Sequence, residues 1–206
     1  MKVLLINGSP NEQGCTCTAL TEVCGALHGH GIDTEILYLG KEPIQGCIAC
    51  RSCIRTGRCA FEDGVNEVTG RIDTIDALVV GSPVYYAGPS GQLIAFLNRL
   101  FFSCRGRMDG KPGAAVVSCR RGGAASAFDQ INKYFAISSM PIVTSQYWNQ
   151  VHGHTAEDVR KDEEGLQTMR TLGENLAWLL ACIEAGRRAG VPAPVREERK
   201  VTNFIR

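Results

Sequence analysis

Two apolar runs of strand length, each stopped by the same Gly-Ser-Pro sequence, constrain this chain more than any other feature. Lys2-Val3-Leu4-Leu5-Ile6-Asn7 runs into Gly8-Ser9-Pro10, and Asp76-Ala77-Leu78-Val79-Val80 runs into Gly81-Ser82-Pro83. Near-continuous apolar runs belong to strands buried on both faces, the condition of a parallel sheet. Helical periodicity follows each. Thr16, Ala19, Leu20, Val23, Cys24 and Leu27 repeat at helix spacing after the first, and Leu93, Ile94, Phe96, Leu97, Leu100 and Phe101 after the second. Ile32–Leu39 reads as a strand, Val65, Val68, Ile72 and Ile75 mark a short helix, and 113–119, 124–137 and 141–147 read as strand, helix and fifth strand. Alternation of this kind predicts an α/β doubly wound three-layer sandwich with a five-stranded parallel sheet in the order 2-1-3-4-5. The ligand crevice then lies at the carboxyl ends of the first, third and fourth strands.

The expected division is a sandwich domain over 1–150 and a carboxyl-terminal helix and tail over 151–206, packed on the domain or on a partner subunit. Thr155 is a candidate helix cap. Leu166, Met169, Leu172, Leu176, Leu179, Leu180 and Ile183 form the apolar stripe of the helix, which Gly190-Val191-Pro192 ends. Its 44% hydrophobic and 21% charged residues exclude a disordered chain, and a net charge of +1 leaves no field to gather nucleic acid. No apolar run has the length of a membrane span. The opening residues read as a strand and not as a signal peptide, so a cytoplasmic protein is expected.

Three segments carry chemistry. The first loop, Gly8 to Thr18, offers the hydroxyls of Ser9, Thr16 and Thr18 beside a helix amino terminus, with Pro10 and Gly14 shaping the turn. That combination suits a phosphate held by neutral donors, since the loop has no Lys or Arg. It matches neither the P-loop nor the Gly-x-Gly-x-x-Gly fingerprint. A plain turn capped by Thr16 competes with it. The second segment holds Cys47, Cys50, Cys53 and Cys59, four of the ten cysteines in thirteen residues, interleaved with Arg51, Arg55 and Arg58. Four thiolates suffice for a [4Fe–4S] cluster or a tetrahedral zinc, and free thiols are the third reading. The third, Ser118-Cys119-Arg120-Arg121-Gly122-Gly123, brings two cations to the crevice. Read on its own it is a solvated loop tip or a phosphate-holding pair.

The first loop, together with Gly81-Ser82-Pro83-Val84-Tyr85-Tyr86-Ala87-Gly88-Pro89-Ser90-Gly91-Gln92-Leu93, resembles the NADPH-dependent FMN reductase family of the flavodoxin-like superfamily. Gly46-Cys47-Ile48-Ala49-Cys50-Arg51-Ser52-Cys53 resembles its iron–sulfur flavoprotein branch. The resemblance implies FMN, with Ser9, Pro10, Asn11, Cys15, Thr16, Cys17 and Thr18 around the phosphate. Cys15 stands where family members often carry Asn. It further implies Pro83, Val84, Tyr85, Tyr86 and Ala87 along the ring, and Cys119, Arg120, Gly122 and Gly123 on its other side. The implied activity is oxidoreduction from NADH or NADPH through FMN to a quinone, flavin, azo or nitro compound, or to an iron–sulfur or protein partner. An electron carrier is the alternative. A homodimer or homotetramer is implied as well, and no side-chain acid or base is required because the flavin carries the chemistry.

Overall fold

The computed structural model describes residues 1–198 and 200–202, so the end of the basic tail lies outside the described residues. Five parallel strands form the sheet: β1 (Lys2–Asn7), β2 (Asp33–Tyr38), β3 (Ala77–Tyr85), β5 (Gly113–Cys119) and β6 (Gln150–His152), in the order β2-β1-β3-β5-β6, while the two-residue β4 (Gly88–Pro89) folds back antiparallel on β3. In strand count that is the expected 2-1-3-4-5 order. The helices are α1 (Cys15–Gly29), α2 (Ser52–Thr56), α3 (Gly64–Arg71), α4 (Gly91–Ser103), α5 (Ala124–Ile137), α6 (Ala156–Val159) and α7 (Glu163–Arg188). Among the described residues no helix is long and apolar enough to cross a membrane.

The alternation within β1 and β3 divides the core into two layers. Leu4, Ile6, Leu78 and Val80 face α3, α4 and α5, joining Val65, Leu93, Phe96, Leu97 and Phe128. Val3, Leu5, Ala77 and Val79 face the other way, onto α1 and α7, with Leu20, Val23, Met169, Leu172 and Leu176. Both faces are covered, as the apolar runs require. The amphipathic stripe of α7 thus buries against α1 within this chain. The helices approach closely because residue 173 is glycine: a Cβ there would lie 2.5 Å from Cβ of Ala26 and 3.0 Å from the carbonyl of Val23. Thr155 caps α6 through a full capping box with Asp158, and Asp162 caps α7.

Two readings of the sequence need correction. The second Gly-Ser-Pro does not end its strand: β3 continues through it to Tyr85. Pairing with β1 stops at Gly81, while pairing with β5 continues to Pro83. Strand alternation points Leu78 N–H at β5 and the Gly81 carbonyl at β1, which turns the nitrogen of Pro83 toward the side β1 has already left. A missing N–H costs no ladder bond there.

Nor is 141–147 the fifth strand. Only Pro141–Val143 touches β5, through an isolated bridge between Gly113 and Ile142, and the chain then swings outward and returns as β6. The buried Asn149 side chain fills the gap, donating to the Ala115 carbonyl at 3.0 Å. The exposed Tyr147 and Trp148, whose rings pack edge to face, give this stretch a strand-like composition without strand burial.

Candidate functional site

Three loops meet at the carboxyl ends of β1, β3 and β5. The first is pinned from both sides. Asn7, wholly buried, accepts from the Ser9 amide at 3.1 Å and donates to the Glu12 carbonyl at 3.0 Å, and the Tyr38 hydroxyl donates to the Pro10 carbonyl at 2.8 Å. Ser9 is buried, and its oxygen accepts from the Asn11 amide at 3.1 Å, while Asn11 itself is exposed. Helix α1 begins at Cys15, with Gly14 in the cap position, no side-chain cap and no acidic residue in its first turn. Thr16 is therefore not a cap. Its buried hydroxyl shares a 2.9 Å hydrogen bond with that of Ser118. Thr18 donates to the Gly14 carbonyl, and Cys15, whose thiol burial pushes up, lies 3.7 Å from the Gly153 carbonyl. The amides of Cys15, Thr16 and Cys17 have no acceptor within the helix, so a positive end stands open at the crevice.

The second loop is the β3–β4 hairpin. Tyr85 pairs with Gly88, leaving Tyr86 (φ 49°) and Ala87 (φ 60°) as a two-residue turn with both backbones left-handed. That is the type I′ geometry, normally built from Asn-Gly or Gly-Gly. A tyrosine and an alanine there store strain of the kind found at ligand sites. Tyr86 is fully exposed and Tyr85 nearly half exposed, while Pro83 and Val84 are half-buried. Ser90 fastens the hairpin to the first loop, its hydroxyl donating to the Gly8 carbonyl at 2.6 Å.

In the third loop Cys119 is buried, which raises its thiol pKa, whereas Arg120, Arg121 and Gly122 are exposed. Gly123 adopts φ +86°, and a Cβ there would lie 2.9 Å from Cα of Ala87. All three loops therefore touch. The sequence-predicted positions from Ser9 to Thr18, Pro83 to Ala87 and Cys119 to Gly123 lie on three loops linked to one another at the carboxyl edge of the sheet.

The cysteine segment forms a second centre. Cys47, Cys50, Cys53 and Cys59 line a single shallow pocket with Ile48, Arg51, Ala60, Phe61, Arg99 and Phe102. Left-handed backbone at Ala49, Arg51 and Gly57 curls the chain around it. Cys47 and Cys50 are exposed, while Cys53 and Cys59 are half-buried. Burial pushes the Cys53 thiol up, and the three neighbouring thiols push it the same way. Arg58 leans away to Glu62 at 2.9 Å, Arg55 is exposed, and Arg51 alone of the interleaved cations borders the pocket. Among the described residues no three His, Cys, Asp or Glu side chains converge closely enough to share one metal ion.

Residues 1–155 match the family described as NADPH-dependent FMN reductase. The chain belongs to the NADPH-dependent FMN reductase family. Within reach of that family stands an iron-sulfur flavoprotein of Methanocaldococcus jannaschii, 33% identical over 194 residues, covering 89% of this chain and all of the relative. An iron-sulfur flavoprotein of Methanosarcina thermophila is 27% identical, covering 91% and 99% of the two chains. Among solved structures, RosB with a bound riboflavin-5′-phosphate intermediate superposes with a TM-score of 0.69 at 14% identity, covering 99% of this chain and 92% of that one. An archaeal flavodoxin superposes at 0.60 and 16%, covering 88% and 99%. At such identities the structural likeness establishes the flavodoxin-like fold, as expected.

Sequence reasoning missed two residues at the cysteine pocket. Arg99 is almost wholly buried and reaches Cys59, and the buried Asn66 holds the backbone of Cys59. Arg99 falls three residues after Phe96 on the inward side of α4, a charge within an apolar stripe, and that position was the available signal.

Proposed function

We propose that this flavin oxidoreductase binds FMN in the three-loop crevice and a [4Fe–4S] cluster on Cys47, Cys50, Cys53 and Cys59, and takes electrons from a reduced nicotinamide. The observation that carries the reading is the uncapped amino terminus of α1, facing a crevice closed by two further loops. The open amides of Cys15, Thr16 and Cys17 suit a phosphate without any cationic side chain. Tyr85 and Tyr86 offer flat apolar faces with polar tips to a ring of the same character. When bound, FMN would supply exchange between a two-electron donor and one-electron acceptors, and the cluster a one-electron relay.

The thiols support the cluster. All four border one pocket on a compact loop, and four thiolates are the full complement of such a cluster. One helix serves both centres. Ser90, at the start of α4, fastens the crevice loops, and Arg99 lines the thiol pocket nine residues on, about 14 Å along the axis. The exposed Arg120 and Arg121 would receive the phosphates of NADH or NADPH, and the fully exposed Tyr86 suits cover by a second chain in a homodimer or homotetramer.

Anaerobic purification with flavin, iron and sulfide analysis tests this. The expected result is one FMN with about four iron and four sulfide per chain, and oxidation of NADH or NADPH when a quinone is added. Colourless protein that takes up no FMN would sink the reading. Full cofactor loading with negligible nicotinamide oxidation would instead favour the electron carrier.

A further inference from the structure

Arg99 puts a buried charge where helix periodicity calls for a core residue. Its side chain is 1% exposed. A guanidinium has five N–H donors in a fixed fork, and here there are five acceptors. Nε donates to Sγ of Cys59 at 3.1 Å, Nη1 to the Gln45 carbonyl at 3.2 Å and to Oδ2 of Asp63 at 2.6 Å, and Nη2 to the Phe61 carbonyl at 3.2 Å and to Oδ1 of Asp63 at 2.8 Å. The ring of Phe61 lies beneath it, 5.1 Å from Cζ.

Arg99 thus grips the chain just before Cys47 and just after Cys59, together with the sulfur of Cys59. A buried ion pair adds little stability that apolar side chains of equal volume would not. Its aim at one sulfur of four therefore points to the sulfur itself. Cys59 is also held by Asn66, which accepts from its amide at 2.8 Å and donates to its carbonyl at 3.0 Å. The four thiols are unequal: Cys59 is fixed at backbone and sulfur, while Cys47 and Cys50 stand exposed.

Resting on the cluster reading above, we infer that Arg99 is a positioning residue that holds Cys59 in the ligand set and raises the reduction potential of the cluster through the Nε–H bond to its sulfur. Reduction places one electron on the cluster and its thiolates, and a hydrogen bond to sulfur favours the more negative state. Asp63 balances the guanidinium charge, so the N–H dipole does most of the tuning.

The test uses the full chain, purified anaerobically. Dithionite supplies the single electron that the cluster accepts, and mediated titration followed by electron paramagnetic resonance gives the potential. Arg99→Lys keeps a cation beside Asp63 but removes the fork and Nε–H. Asp63→Asn keeps Nε–H, still caps α3, and removes the balancing charge. For Arg99→Lys the reduced-to-oxidised ratio at the wild-type midpoint should fall about tenfold, equivalent to ~59 mV for one electron. For Asp63→Asn the ratio should rise. Where Arg99→Lys fails to fold, Asp63→Asn decides alone, and an unmoved or lowered ratio overturns the inference. Wild-type protein without iron and sulfide overturns the cluster reading and this inference together. A cluster whose potential neither variant moves overturns the role of Arg99 and leaves the cluster reading standing.

Discussion

The crevice and the cysteine pocket are built by opposite means. The crevice is assembled from main chain: strand ends, a helix start and a two-residue turn, fastened by short hydroxyl and amide bonds such as Ser90 to Gly8 and Thr16 to Ser118. The cysteine segment has little regular structure beyond the five-residue α2, and is held by two buried side chains from neighbouring helices, Asn66 and Arg99. A main-chain site is as rigid as the sheet that carries it. A site pinned by side chains can be loosened one residue at a time, so the two centres should be separable by mutation.

The largest separation is expected from Cys59→Ser. Iron content should fall by at least ~10-fold, since even the partner of a ligand is worth that much, while flavin per chain stays constant. Parallel loss of both cofactors would mean the centres are not independent. The converse break is Cys17→Glu. A carboxylate in the first turn of α1 favours the helix by about 0.3–1 kcal/mol yet occupies the open amides. FMN affinity should drop about a hundredfold, ~2.7 kcal/mol, with iron unchanged and thermal stability of the apoprotein equal or higher. Fluorescence titration and calorimetry read the two quantities.

Gly123→Ala sharpens the comparison within the crevice. Its left-handed backbone adds about 1–2 kcal/mol of strain, and the methyl group meets Ala87. Urea unfolding should show that loss, and FMN binding should weaken as the hairpin is pushed away. Joint replacement of Tyr86 by Asn and Ala87 by Gly should do the reverse for stability. It relieves about 1 kcal/mol of turn strain while weakening FMN retention through loss of the tyrosine ring.

The smallest effect belongs to neither centre. The Arg71 guanidinium holds the Glu35 carboxyl at about 2, against an ordinary 4.5, with Lys2 assisting. A depressed folded-state value stabilises the fold above the ordinary pKa and fades as pH falls from there toward 2. Glu35→Gln should flatten that part of the stability curve slightly and leave both cofactors in place, as suits a partly exposed pair.

The sheet was legible because Val3–Ile6 of β1 and Ala77–Val80 of β3 are apolar without interruption, a pattern that burial on both faces explains. Pro83 misled because a proline is punctuation only where its missing N–H would have been used, and that depends on where the neighbouring strand ends. Residues 141–147 misled because Ile142, Val143 and Tyr147 have strand composition, while the actual strand depends on Asn149 bridging a gap. The open cradle at Cys15–Cys17 could be read from the loop chemistry. That Thr16 turns to Ser118 instead of capping could not, since the partner lies about a hundred residues away. The four cysteines stand out by their spacing, and Arg99 as a charge within the apolar stripe of α4, but only the packing of that helix shows what the charge grips.

The glycine at the crossing of α7 and α1 has a reach beyond its own neighbourhood. By letting the last long helix nest on the first, it braces from outside the very rod whose tip would hold the phosphate, so alignment of that tip is underwritten from the far end of the sequence. Clipping the chain inside α7 should therefore register first as faded yellow colour, well before the sheet itself gives way.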